Sequence, residues 1–384
     1  MTNKFNPYFE FIRYCLDDYL PIPASIHNID WDALFAFMRQ QALTGVGYCG
    51  IERLKKEGVD IPKPIFMKWY ALSEKIRTRN IHVNECCVRL IERLKEDGFC
   101  SCILKGQGNA ILYSNPYART SGDIDVFVMK KELTSIKERR KIIIDYVRKI
   151  FPQTKMRYQH IDFPVFKDVS VEMHFIPAAK NNPIYNRRIQ HWADNQMFQQ
   201  CHNTICLPNK AGTIPVPTPS FNLIYQLSHL MHHFFDEGIG LRQMLDYYLV
   251  LKQQSFITNI EDCQSSSNRE NTNRKNIYAL QKELRYLGLY NFAGAVMYVM
   301  HEVFGLEKER MIVPLDTKRG KTLMTEILKG GNFGRYSGLT NHSTGMKYFL
   351  KIRRNLQFVR EYPAEALCEP IFRTWHFFWR LWNK

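Results

Sequence analysis

Residues 119–128 read Arg-Thr-Ser-Gly-Asp-Ile-Asp-Val-Phe-Val, with two carboxylates one residue apart at the head of an apolar, β-branched run. Along a strand, side chains two apart point to the same face. Asp123 and Asp125 therefore project together, and like charges so placed are costly unless a cation sits between them. A divalent metal fills that role well, because hard oxygen ligands suit Mg²⁺ and the ion can also grip phosphate oxygens. The chain must therefore build a strand whose end is a charge-binding site.

The flanking sequence supplies matching parts. Phe99-Cys-Ser-Cys-Ile-Leu-Lys105 reads as a short buried strand ending in Gly106-Gln-Gly108, and Asn109–Tyr113 as the first turns of a helix. A strand, a glycine turn and a helix start together offer backbone N–H groups to a phosphate. Downstream, Val169, Val171, Met173 and Phe175 alternate with Ser170, Glu172 and His174, so Glu172 becomes a third carboxylate on a strand face. His174 shares that face, either reaching the site or supporting it by hydrogen bonds. Lys105 and Arg119 are candidate cations for phosphate oxygens, Lys as a point charge and Arg as a bidentate fork. The plainer reading makes Lys105 a strand-end surface residue, and gives Arg119 and Ser121 only the shaping of a loop.

The ordered run Leu104-Lys-Gly, Arg119-x-Ser-x-Asp-x-Asp and Glu172 resembles the core of the polymerase-β-like nucleotidyltransferase superfamily. It is more closely similar to a bacterial family described as uncharacterised nucleotidyltransferases. A related pattern, Lys-Gly before Arg-x-Ser-x-Asp-x-Asp, occurs in the abortive-infection toxin nucleotidyltransferases. The likeness to the core covers residues 99–175, and continues through His229-x-x-His-His and Gly238-Ile-Gly-Leu-Arg-Gln-x-x-Asp246. It implies an α+β fold: a mixed β-sheet core flanked by helices, with N- and C-terminal helical lobes. The activity it implies is Mg²⁺-dependent transfer of a nucleoside monophosphate from an NTP, with ATP the expected donor, to a protein, small-molecule or RNA acceptor.

Carried over residue by residue, Asp123, Asp125 and Glu172 would be catalytic and would bind the metal, Glu172 also being a candidate to activate the acceptor hydroxyl. Lys105, Gly106, Gln107, Gly108, Arg119, Ser121 and Arg242 would contact the nucleotide. The superfamily usually has Gly or Ser after the first glycine of the turn. Gln107 stands there in this chain, so the phosphate grip is expected to differ. Read from spacing alone, Arg242 and Asp246 are i, i+4 helix partners, and His229, His232 and His233 fall on one helix face as metal ligands or as a packed interior cluster.

Length and charge bound the rest. At 384 residues the chain can bury more than one core, and a net charge of +16 favours polyanionic partners. An anionic acceptor, nucleic acid or a membrane surface all satisfy that field. Ten cysteines follow no disulfide-framework spacing, no secretory signal opens the chain, and no apolar run approaches the ~20 residues of a membrane span. A reduced, cytoplasmic setting is the expectation. From Thr317 onward there are thirteen Lys/Arg against four Glu. Within that region Ile371, Phe372, Trp375, Phe378, Trp379 and Trp382 form a helical stripe flanked by Arg373 and Arg380, suited to closing its own core or to docking on a membrane. The rivals to an enzyme are a non-catalytic nucleotide-binding regulatory module and a membrane- or nucleic-acid-associated scaffold.

The periodicities divide the chain into a helical lobe at 1–98, a catalytic core at 99–215 and a helical region at 216–384. They predict helices over 31–42 and 64–97, the latter closed by Gly98. In the core they predict a helix over 131–149, then strands 156–166 and 170–175 joined by a Lys167-Asp168 turn and so antiparallel. Further helices are expected over 184–199 and from Ser220, capped by Thr218 or Ser220, with a loop over 260–275 and a turn at Gly330–Gly334.

Overall fold

The computed structural model describes residues 2–132, 135–254, 267–336 and 344–382. The fold is α+β, mostly helical with one small four-stranded mixed sheet and a two-stranded antiparallel pair, Thr204–Cys206 with Thr213–Pro215. It contains two compact units, neither a single run of sequence: one takes residues 1–80, 112–120 and 236–342, the other 81–111, 121–235 and 343–384.

The second unit carries the four-stranded sheet. Its strands are β1 (Cys100–Ile103), β2 (Ile124–Met129), β3 (His160–Asp162) and β4 (Val171–His174), in the order β1-β2-β4-β3. β1 runs antiparallel to β2, β2 parallel to β4, and β3 antiparallel to β4. The expected hairpin pairing between the last two strands is therefore present. β3 is shorter than expected, with Met156 joining it only through an isolated bridge to Ile161. The ladder with β4 stops after Phe163, whose N–H still donates to Val171 O, because the Val165 N–H turns back to Phe163 O at 2.7 Å.

β2 is buried along its whole length, and alternation sorts its side chains. Ile124, Val126 and Val128 enter an apolar core with Val171 and Met173 of β4, Leu90 and Leu94 of the helix Lys63–Glu96, and Ile143 and Val147 of the helix Ile136–Ile150. Each fully buried aliphatic side chain contributes about 1.5–3 kcal/mol, which offsets the cost of holding charge on the opposite face. The helix Ile136–Ile150 begins later than the predicted 131 because Ser135 and Glu138 form a capping box. The helix Pro183–Gln200 starts at Asn182, whose side chain accepts from the N–H groups of Ile184 and Tyr185. The helix Pro219–Asp236 follows, with the Thr218 hydroxyl donating to Gln200 Oε1 rather than showing a capping bond.

The C-terminal helix Pro363–Trp382 packs part of its aromatic stripe on Tyr158, with ring centroids of Phe372 and Trp375 at 5.3 and 5.7 Å. Ile371 and Phe378 stay exposed. The side chains of Arg380 and Trp382 lie outside the described residues. No helix among the described residues is long and apolar enough to cross a membrane.

The first unit is helical. Trp31–Gln40 is capped by Asp30, whose carboxylate accepts from the Ala33 N–H. Thr44–Lys56 lies under Trp69, and a Cβ at Gly47 would meet that indole at 2.5 Å. Gln41 is fully buried and satisfied, donating to Ile327 O at 3.2 Å and accepting from Leu241 N–H at 2.9 Å. Two glycine-bearing turns meet here backbone to backbone. A Cβ at Gly240 would lie 2.7 Å from Asn332 Cα, one at Gly238 3.2 Å from Gly334 Cα, and one at Gly334 would strike the Glu237 carbonyl. The Gly330–Gly334 turn is thus a packing element. The predicted loop over 260–275 lies partly outside the described residues, and from Ser267 the chain is helical to Tyr286.

Candidate active site

On β2 and β4, the faces opposite the apolar core hold Asp125, Glu172 and His174. The parallel register places Asp125 beside Glu172, and Asp123 stands one residue before β2. Oxygens of Asp123, Asp125 and Glu172 all lie within 4.8 Å of one another. Three acidic groups separated by up to 49 residues of sequence thus converge.

The electrostatics are uneven. Asp125 is buried; desolvation opposes its charge, but Lys105 Nζ at 2.9 Å and His174 Nε2 at 2.9 Å hold its carboxyl well below the usual range. Asp123 is exposed and has the opposite shift. The adjacent charge of Asp125, with desolvation and Glu172 adding, pushes it up to about 6. Glu172 is lowered: burial works against its charge, and the hydrogen bond from His174 prevails. Burial also works against the charge on His174, yet Asp125 and Glu172 raise it to about 9, so it is an imidazolium at neutral pH.

Lys105 Nζ also donates to His229 Nε2 at 2.8 Å. His229 is driven well below its ordinary range by burial and by the Lys105 charge, so its ring nitrogen is a neutral acceptor. Lys105 is therefore no idle surface lysine. Spacing did place His229 on an interior helix face, but its partner came from 124 residues away. His160 was not anticipated at all. It pairs directly with His174 across β3 and β4 and sets Nδ1 3.1 Å from Glu172 Oε2. The His160-Ile-Asp162 alternation was the available signal, without a register to give it meaning.

The glycine turn follows β1. Gly106 has φ +59° and ψ −110°, a conformation glycine tolerates and other residues resist, and it opens a short helix, Gln107–Ala110, that starts two residues before the predicted Asn109. The N–H groups of Gly108, Asn109 and Ala110 are spent on Lys105 O and Gly106 O. Gln107 turns inward and donates to Asn84 Oδ1. Gly108 packs against Val216, where a Cβ would lie 2.9 Å from Cγ1. A Cβ added at Gly122 meets nothing within 4 Å, and one at Gly106 only Asp123 O at 3.8 Å, so there is open space on the carboxylate side. Ser121 Oγ is buried without a hydrogen-bond partner.

Arg119 and Arg242 belong to the other unit. Arg119 is buried, and its Nε and Nη2 grip Asp246 Oδ1 and Oδ2 at 2.8 Å each, while Tyr113 donates to Oδ1 at 2.6 Å. The expected i, i+4 pair between Arg242 and Asp246 is replaced by this long-range fork. Arg242 instead donates Nη1 to Thr120 O at 3.3 Å, lies 5.5 Å over the Phe333 ring, and acts on Asp246 through charge. Burial opposes the charge of Asp246, but the Arg119 guanidinium prevails and lowers its pKa.

The mixed sheet thus gathers three carboxylates beside a glycine turn. Residues 27–305 match the family described as Uncharacterised nucleotidyltransferase, and the chain belongs to that family. It is a nucleotidyltransferase, acting on nucleoside triphosphates. Among curated proteins it is similar to a candidate protein adenylyltransferase of Methanocaldococcus jannaschii, 28% identical over 98 residues, which is 24% of this chain and 92% of that protein. Among solved structures it is similar to an antigenic nucleotidyltransferase-like protein from Paracoccidioides brasiliensis. That match is 12% identical with a TM-score of 0.28, covering 56% of this chain and 93% of the other.

Proposed function

We propose that the chain uses Mg²⁺ to move a nucleoside monophosphate, AMP from ATP in the first instance, onto a hydroxyl or phosphate acceptor, with a protein side-chain hydroxyl favoured. The observation that carries this is the mutual approach of Asp123, Asp125 and Glu172 within 4.8 Å. That set is all hard oxygen, as Mg²⁺ requires, and its geometry leaves room beside Gly106 and Gly122. The three carboxylates would hold the ion, which when bound neutralises charge on the transferring phosphoryl group and orients it. Adenylyl as the group and protein as the acceptor draw support from the name of the Methanocaldococcus relative.

In this reading the acceptor oxygen bonds to the α-phosphorus as the bond to pyrophosphate breaks, and pyrophosphate leaves with the electron pair. Glu172 shares the ion or takes the acceptor's proton. Lys105, a point charge between Asp125 and His229, turns to triphosphate oxygens. Gly106 and the backbone at Gln107 line the phosphate side, with Ser121 offering its orphaned hydroxyl. The fork to Asp246 makes Arg119 a positioning residue, and Arg242 braces the loop at Thr120. We assign the catalytic core to residues 99–215 and the activity to a reducing cytoplasm.

The test is incubation of the full chain with each α-labelled NTP, with Mg²⁺ or with chelator, beside titration calorimetry. Mg²⁺-dependent NTP binding and label transfer, both lost in Asp123→Asn, are the expected results. Binding that ignores Mg²⁺ and survives Asp123→Asn overturns the reading.

A further inference from the structure

The carboxylate cluster does not use every ligand-bearing side chain on this sheet. His160, Glu172 and His174 form a second group whose ligating atoms also lie within 4.8 Å of one another. Two of its edges are explicit: His160 Nδ1 is 3.1 Å from Glu172 Oε2, and His174 Nε2 is 3.5 Å from the same oxygen. Ligands 2.0–2.1 Å from a tetrahedral Zn²⁺ are about 3.3 Å apart, which these two distances bracket. His174 Nε2 now donates to Asp125 Oδ1 at 2.9 Å, and the cation would take the place of that proton.

The rings are fixed from the strands. His160 and His174 are direct cross-strand partners, with centroids 4.9 Å apart, and Glu172 lies two residues before His174 on the same face. His174 is more than nine-tenths buried. The outward nitrogens, His160 Nε2 and His174 Nδ1, are buried without hydrogen-bond partners, so both rings are oriented by what their inward nitrogens meet. Donor chemistry then separates the two clusters. Two imidazoles and one carboxylate suit Zn²⁺ and its nitrogen-seeking neighbours in the first transition row, whereas Mg²⁺ prefers oxygen alone.

We infer that His160, Glu172 and His174 form a binding site for a borderline divalent transition cation of the Zn²⁺ type, adjacent to the three-carboxylate cluster and sharing Glu172 with it. The inference does not depend on the transfer reaction. It makes the sheet face a two-compartment cation site, one compartment hard and one nitrogen-rich, joined by one carboxylate.

Co²⁺ is the probe, because its visible ligand-field bands report nitrogen coordination without any turnover. The full chain, stripped by chelation, is titrated with Co²⁺ in excess Mg²⁺, and His160→Ala and His160→Gln are titrated in parallel with a circular-dichroism check of folding. The expected result is a saturable visible band that excess Mg²⁺ does not displace, with Co²⁺ affinity down about tenfold or more in either folded His160 variant. Displacement of Co²⁺ by Mg²⁺, or wild-type Co²⁺ binding in a folded His160 variant, overturns the site. The Mg²⁺ competition on the wild-type chain decides the matter even where a variant does not fold. Loss of the transfer reading would appear instead in the Asp123→Asn label assay, which leaves the Co²⁺ band in place.

Discussion

Arg119 lays Nε and Nη2 against the two carboxylate oxygens of Asp246, each at 2.8 Å and out of solvent. The pair joins segments 127 residues apart within one unit, and Asn80 adds bonds from its side-chain amide to the carbonyls of Tyr117 and Arg119. Removing one member of a buried pair strands the other charge and costs about 3–5 kcal/mol. Asp246→Ala is expected to lose stability on that scale in urea unfolding. A loss below about 1 kcal/mol, typical of solvent-exposed pairs, would contradict the buried fork.

Asp123 and Asp125 should part company in stability, although both Asn variants should stop label transfer. The folded protein raises Asp123 to about 6, so between the ordinary carboxylate range and that value the folded state holds the extra proton. Stability therefore falls as pH rises through this window. Asp123→Asn should raise the thermal midpoint above pH 6, and the gain should fade towards pH 4. Asp125 is shifted the other way by Lys105 and His174, so its stabilisation is present above the ordinary range and disappears as pH falls through its lowered value. Asp125→Asn should lower the midpoint at neutral pH. Equal shifts of one sign in both variants would refute this asymmetry.

The same shift on Asp123 governs loading of the ion. A cation binds the ionised carboxylate, which is already the main form above about pH 6. Below that value a proton must first leave. Calorimetric Mg²⁺ affinity should thus be flat from pH 7 to 8 and fall by up to about tenfold per pH unit beneath 6. In Asp123→Asn the remaining affinity should lose that inflection.

Gly106→Ala forces an L side chain into positive φ, at a cost of about 1–3 kcal/mol. The added methyl itself meets only Asp123 O at 3.8 Å, so strain and not collision is the cause. The variant is expected to fold with a lowered midpoint and to bind NTP more weakly. Unchanged nucleotide affinity would remove the turn from the site.

Much of this was legible because strand alternation is local information. The positions of Asp123, Asp125, Glu172 and His174 on one face follow from period two, and the mixed sheet follows from the Lys167-Asp168 turn and the resemblance. What escaped depends on register and on distant partners. His160 acquires meaning only once β3 is paired with β4, and Asp246 looks like a partner of Arg242 until a segment far upstream brings Arg119 to it. Each miss is a long-range contact that outranks a short-range pattern.

The bare main-chain seam between residues 237–240 and 332–334 limits how this protein can change. With no side chain interposed, neither loop has anything to shorten in compensation when the other gains a methyl group. Saturation libraries should therefore leave Gly238, Gly240 and Gly334 blank one at a time, and only paired rebuilding of both loops would reopen them.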